Sequence, residues 1–251
     1  MTISAYSIAR PDRSGSKVNE DLFVYAHCLK MGYNYLGPIG TNWLEDHTRL
    51  CAFLNLPLPL KNPPPDGSSL KIVEDDYSRK IYPDVNHLIT NDFLGKIRSQ
   101  AEVNILSPEK FENPKISIHI RRGDVSLHTH TSRYITNQYF LDSCKMILQR
   151  FPNSEINIFS ESDSSESFDQ FLQIGCRLKL DIDLAETWKQ IINSDVFFMS
   201  KSSFSYVPAL YNRNLIVYYP AWYQKLDHWL DSMDEFLWDK IYGFLEKKYG
   251  K

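Results

Sequence analysis

The chain has 251 residues, 43% of them hydrophobic and 14% aromatic, which is enough to bury one large core or two small ones and excludes a disordered chain. Lys and Arg number 28 against 31 Asp and Glu, so the formal net charge of −3 offers no bulk basic surface for nucleic acid or an anionic membrane. Any phosphate binding must come from a local cluster.

No stretch approaches the roughly 20 apolar residues that span a bilayer. Residues 1–9 are too short and polar for a secretory core, and Arg10-Pro11-Asp12-Arg13 follows at once. The expectation is therefore a soluble, cytoplasmic chain, of the kind found as a bacterial or viral enzyme. Cys28, Cys51, Cys144 and Cys176 lie far apart, without CxxC spacing and mostly in apolar stretches. They are expected as reduced core residues rather than disulfides or a zinc site.

In chain order, residues 2–9 predict a strand and Pro11 to Ser16 a turn. Asn19 to Gly32 then predicts a capped helix closed by glycine. A strand from Tyr33 to Leu36, a helix near 44–55, a Pro-rich loop from Pro57 to Gly67, a strand from Leu70 to Val73 and a helix near 91–102 complete a first half of weaker periodicity. The second half is regular. Strands at 116–121, 155–160, 177–181, 195–199 and 214–219 alternate with helices at 136–150, 164–174, 184–193 and 203–212, the spacing of βαβ units and a parallel sheet. Trp229 to Tyr249 carries Phe236, Leu237, Ile241, Phe244 and Leu245 at helical spacing and predicts an amphipathic helix. No repeat, GxxxxGK[ST] or GxGxxG motif occurs.

The chemistry is densest at His119-Ile120-Arg121-Arg122-Gly123-Asp124, where an apolar, β-branched strand runs into two arginines and a glycine turn. In a strand, His119 and Arg121 share one face while Ile118 and Ile120 point into packing. Guanidinium forks at a strand end suit phosphate oxygens and stay charged at any physiological pH. The bland alternatives are surface ion pairs or a chance Arg-Gly-Asp tripeptide. Two other loops follow strands of the same half. One runs from Ser160 to Ser165, and the other, Ser200-Lys201-Ser202-Ser203-Phe204-Ser205, opens a helix and serves either as an ordinary N-cap or as an anion site.

His-x-Arg-Arg-Gly-Asp, the Ser-x-x-Asp loop, and Ser-Ser-Phe-Ser after an Asp-Val-Phe-Phe-Met strand resemble the α-1,2/α-1,6/protein-O-fucosyltransferase superfamily. Residues 13–26 are similar to that family's Gly-Gly-Leu-Gly-Asn-Gln-Leu-Phe-Gln-Tyr-Ala segment, with most glycines replaced. The resemblance implies an α/β fold of two Rossmann-like domains facing a cleft (the GT-B type), with the C-terminal domain the more regular parallel sheet. Its expected divisions are an acceptor-side domain at 1–112, a sugar-nucleotide domain at 113–228 and a C-terminal helix at 229–251 packing across the two.

The same resemblance implies an inverting, metal-independent glycosyltransferase with no cofactor beyond its donor, GDP-fucose ahead of UDP-xylose, and an oligosaccharide acceptor. Carried over by position, Arg121 binds the β-phosphate, Arg122 supports it or braces the loop, and His119 contacts base or ribose. Ser202 and Ser203 grip the pyrophosphate, with Phe204, Ser205 and Asp163 completing the donor set and Asp183 or Glu186 near the base. A carboxylate can accept both N–H donors of guanine, which favours GDP if that carboxylate is buried; Asp181, Asp183 and Glu186 can equally cap the following helix.

Inversion calls for a base that deprotonates the acceptor hydroxyl. Asp124, His128 and His130 share the arginine loop, with Asp124 either base or salt-bridge partner of Arg122. Glu20 is either base or helix cap. Arg133 and Tyr134 either order the loop or pack it, and Tyr33, Tyr35, Trp43, Tyr206, Trp222 and Tyr223 either stack on sugar or belong to the core. His128-Thr129-His130 lacks an acidic or cysteine partner nearby, so no metal site is expected. The competing class is a nucleotide or carbohydrate binder that keeps the phosphate site without a base.

Overall fold

The computed structural model describes residues 3–9, 12–39, 44–62, 70–72, 84–107, 111–162, 166–221 and 223–250. The chain divides into two compact units, Met1–Leu106 and Ser107–Lys251. No helix among the described residues is long and apolar enough to cross a membrane.

In the first unit β1 (Ser4–Ile8) is the middle strand of a parallel three-stranded sheet, between β2 (Asn34–Ile39) and β3 (Leu70–Ile72). Gly37 of β2 has φ +115, and a Cβ there would stand 2.4 Å from the Leu58 carbonyl oxygen, so the strand's close approach to the following chain demands glycine. Helix α1 (Ser14–Lys30) begins before the expected start, inside the segment read as a turn, and Arg13 precedes it with no side-chain cap. Nearly all of α1 is buried, polar residues included. Helix α2 (Leu44–Phe53) packs on α1, and α3 (Asn91–Ile105) starts where Thr90 Oγ1 accepts from Phe93 N at 3.2 Å.

The second unit is a six-stranded, wholly parallel sheet in the order β6-β5-β4-β7-β8-β9. Its strands are β4 (Lys115–His119), β5 (Glu155–Ser160), β6 (Arg177–Leu180), β7 (Val196–Phe198), β8 (Leu215–Tyr218) and β9 (Leu230–Asp231). The helices are α4 (Asn137–Arg150), α5 (Asp169–Gln173), α6 (Leu184–Ile192), α7 (Ser203–Tyr211) and α8 (Leu237–Tyr249). The α/β class with parallel sheets is as the spacing predicts. Two differences are local. Residues 229–236, expected as helix, contain β9 and turns before α8. The helix expected at 164–174 is described only over α5, and residues 163–165 lie outside the described set.

Period-two alternation explains the burial of β4 on both faces. Ile116, Ile118 and Ile120 enter a core with Phe140, Cys144 and Ile147 of α4 and Leu237, Ile241 and Leu245 of α8. The apolar face of α8 thus enters the second unit's own core. Ser117 and His119 take the other face, where the His119 ring meets Phe204 of α7 at 5.2 Å. All four cysteines are free and buried, as their apolar settings predict.

Candidate functional site

Strand order decides where a ligand can sit. From β4 the chain builds outward through β5 and β6, then returns to place β7 on the other side of β4. The order reverses between β4 and β7, and in open parallel sheets the crevice at the carboxyl ends of such a pair is the binding position. The loops that leave those two ends carry Arg121 and the serines from Ser200 to Ser205.

Hydrogen bonds tie the two loops together. Arg121 N donates to Ser200 Oγ at 2.9 Å, and that hydroxyl donates on to the His119 carbonyl. His119 Nδ1 lies 2.6 Å from Ser205 Oγ, which also accepts from Ser200 N at 3.3 Å. Trp188 of α6 donates its indole N–H to the Phe204 carbonyl at 3.1 Å and packs its ring on the Phe204 side chain. His119 is a seam between β4 and α7, with its Nδ1 occupied by Ser205. Burial first, then the charges of Arg121 and Arg122, push its pKa down to about 3.

That depression has a pH consequence. With a folded value near 3 and an ordinary value of 6.5, the unfolded chain binds the extra proton between those limits. The contribution of His119 to stability is complete above pH 6.5 and declines as pH falls, by up to about 1.4 kcal/mol per pH unit. Urea midpoints followed from neutral pH to about pH 5 should drop more steeply for wild type than for His119→Gln. Parallel slopes would contradict this picture.

The two arginines part company. Arg121 holds Asp124 through Nε–Oδ1 at 3.2 Å and Nη2–Oδ2 at 2.6 Å, with side chains 16% and 28% exposed, so its fork is accessible and currently filled by a carboxylate. Arg122 is buried. It donates to the Arg121 carbonyl at 2.8 Å, the Ile135 carbonyl at 3.0 Å, Glu166 Oε2 at 3.2 Å and Asn137 Oδ1, and lies 4.6 Å from the centre of the Tyr134 ring. The Tyr134 hydroxyl donates to Glu166, and burial together with that carboxylate raises its pKa to about 12. Of the two expected roles of Arg122, the geometry is that of a brace. Asp124 bonds Arg121 rather than Arg122, because the φ +73 turn at Gly123 brings the carboxylate back over the first arginine.

The serines are also engaged. Ser202 caps α7 by accepting from Phe204 N at 3.2 Å, Ser203 Oγ lies 3.2 Å from the Tyr223 hydroxyl, and Ser205 holds His119. The Ser203 backbone N–H, in the first turn of α7, has no hydrogen-bond partner among the described residues. Fixed positive potential at this edge therefore comes from Arg121 and the helix end rather than from serine hydroxyls.

Of the remaining expected residues, Asp183 is exposed and caps α6, accepting from Ala185 N at 2.9 Å and Glu186 N at 3.0 Å. Glu186 is exposed and accepts from Gln190 Nε2 at 2.8 Å. Neither is the buried, base-reading carboxylate that would favour guanine. Asp181 has φ +51 and accepts from Ser162 N at 3.0 Å, fastening the β5 and β6 loops. Glu20 lies in the interior of α1 in the first unit and is buried there, so it cannot cap the helix start. His130 Nδ1 is 2.9 Å from the Asp124 carbonyl. Tyr35, Tyr206 and Tyr223 are core residues, while Asp163, Trp43 and Trp222 lie outside the described residues. Asn137 and Glu166 were not singled out from sequence; a side chain distant along the chain carries no local signal that it will bond Arg122.

The fold and this edge define a parallel α/β protein with an accessible arginine and a helix amino end at a strand-order reversal. No family model matches the chain, and no curated protein does. Among solved structures it is similar to E. coli heptosyltransferase WaaC with ADP-2-deoxy-2-fluoro heptose, at 6% identity, covering 98% of this chain and 99% of that one with a TM-score of 0.48. E. coli ADP-heptose LPS heptosyltransferase II matches at 9% identity, 99% and 98% coverage and a TM-score of 0.46. POFUT1 in complex with GDP-fucose matches at 10% identity, 84% and 70% coverage and a TM-score of 0.32.

Proposed function

We propose that the chain is a glycosyltransferase whose second unit holds the diphosphate of a sugar nucleotide between Arg121 and the amino end of α7. The observation that carries this reading is the placement of one accessible guanidinium fork and one helix amino end on the two strands where the sheet order reverses. As the bond from the anomeric carbon to the diphosphate breaks, negative charge grows on the leaving oxygen. Pre-positioned positive groups lower that barrier without a metal. The donor phosphate displaces Asp124 from the Arg121 fork, and the freed carboxylate in the same loop is then available to take the proton of an acceptor hydroxyl as it attacks with inversion.

Motif resemblance makes GDP-fucose the first donor to test and a glycan hydroxyl its acceptor. UDP-xylose is the second; Asp183, exposed and capping α6, lends no specific support to a guanine donor. Thermal-shift titrations with GDP, UDP, ADP and the two sugar nucleotides in EDTA separate these. A ligand present at about 100 times its Kd adds about 2.7 kcal/mol of stability. A selective GDP response supports a fucose donor, and a selective UDP response moves the donor to a uridine sugar. Silence from every nucleotide removes the diphosphate site.

A further inference from the structure

The first unit contains a polar cluster that the proposed transfer does not use. His47 and Cys51 stand one helical turn apart on α2, so they project from one face, and Asp21 meets them from α1. All three are buried, His47 and Cys51 completely. His47 Nε2 is 2.6 Å from Asp21 Oδ2, and the Cys51 thiol donates to that same oxygen at 3.7 Å. One ligating atom from each residue lies within 4.8 Å of the other two.

The trio's own hydrogen bonds do not satisfy every buried group in it. Here His47 Nδ1 is buried and has no hydrogen-bond partner among the described residues. A carboxylate oxygen, an imidazole nitrogen and a sulfur converge in a buried position, the mixed donor set of a borderline-soft divalent ion.

We propose that Asp21, His47 and Cys51 form a zinc site that staples α2 to α1, with water in the fourth position. Binding exchanges protons for the ion. The thiol releases its proton, the ring's proton moves from Nε2, where it donates to Asp21, to Nδ1, and the His47–Asp21 hydrogen bond is replaced by two metal bonds. Tetrahedral zinc holds nitrogen and oxygen ligands about 3.3 Å apart, so the two side chains separate by less than about 1 Å. Sequence reading passed over the site because only the His47/Cys51 spacing is local, while Asp21 arrives from another helix.

Cobalt(II) reconstitution of the full chain, followed by desalting, tests it. The expected result is one retained cobalt with a thiolate-to-cobalt charge-transfer band, displaced by zinc, lost in Cys51→Ser and kept in Cys144→Ser. Wild type that retains no cobalt, or a band that persists in Cys51→Ser, overturns the site. If Cys51→Ser does not fold, zinc X-ray absorption of wild type decides. A shell of one sulfur with nitrogen and oxygen upholds the assignment, and a shell with no sulfur or several overturns it. None of these readouts depends on sugar transfer, so failure here and failure of the transferase reading are distinguishable.

Discussion

Replacing Arg121 by alanine should lower kcat/KM for sugar transfer by about 10²- to 10³-fold, the loss seen when one pre-positioned donor to developing negative charge is removed. The fold should survive. Arg121 is partly exposed, and its Asp124 partner is three residues away on the same turn, the kind of pair that contributes about 1 kcal/mol or less. The melting temperature should move little while nucleotide-induced stabilisation disappears. Arg121→Lys keeps a point charge without the fork and should fall between the two. Wild-type rates in Arg121→Ala would end the phosphate assignment. A wild-type chain that binds nucleotide but never turns over a sugar nucleotide would leave the binder as the better class.

The neighbouring substitution should fail differently. Arg122→Ala removes a buried cation from the Arg121 and Ile135 carbonyls, Asn137 and Glu166, leaving acceptors without their donor inside the unit. Breaking such a buried pair costs about 3–5 kcal/mol, to be read as a lower urea midpoint. Lysine should recover little, because it lacks the planar fork that serves several acceptors and stacks on Tyr134. Under conditions where Arg122→Ala remains folded, donor KM should change far less than in Arg121→Ala. A stability loss below about 1 kcal/mol would show that the network is not a brace. Two adjacent arginines thus divide into an accessible ligand-facing group and an internal strut, a division that turns on the Gly123 backbone.

The two halves of the chain differ in how far they can be read without a structure. In the second unit β4 to β8 and most helices lie near their expected bounds, since βαβ units repeat hydrophobic runs of strand length and helical periodicity at short range. Where local signals conflicted, boundaries moved. Asn19-Glu20-Asp21 looks like a helix start, yet α1 begins at Ser14 and buries those polar residues. That burial depends on the surroundings of the helix, which periodicity does not encode. β9 is only two residues long and exists because β8 offers it a partner, with Val217 opposite Leu230.

By itself the sequence determined that the chain is an α/β protein, that β4 turns its isoleucines to one face and His119 to the other, and that an arginine–glycine turn and a serine-capped helix each follow a strand. These depend on residues a few positions apart, whose relative directions the backbone's periods of 2 and 3.6 set. Only the tertiary structure decided that β7 returns beside β4, that Ser200 and Ser205 join the two loops, that Asp124 takes Arg121 while Glu166 takes Arg122, and that Asp21 meets His47 and Cys51. Each of these is a choice among chemically equivalent partners. It is made by strand order and burial, because a carboxylate or hydroxyl pairs with whichever donor the packed chain places within hydrogen-bond reach.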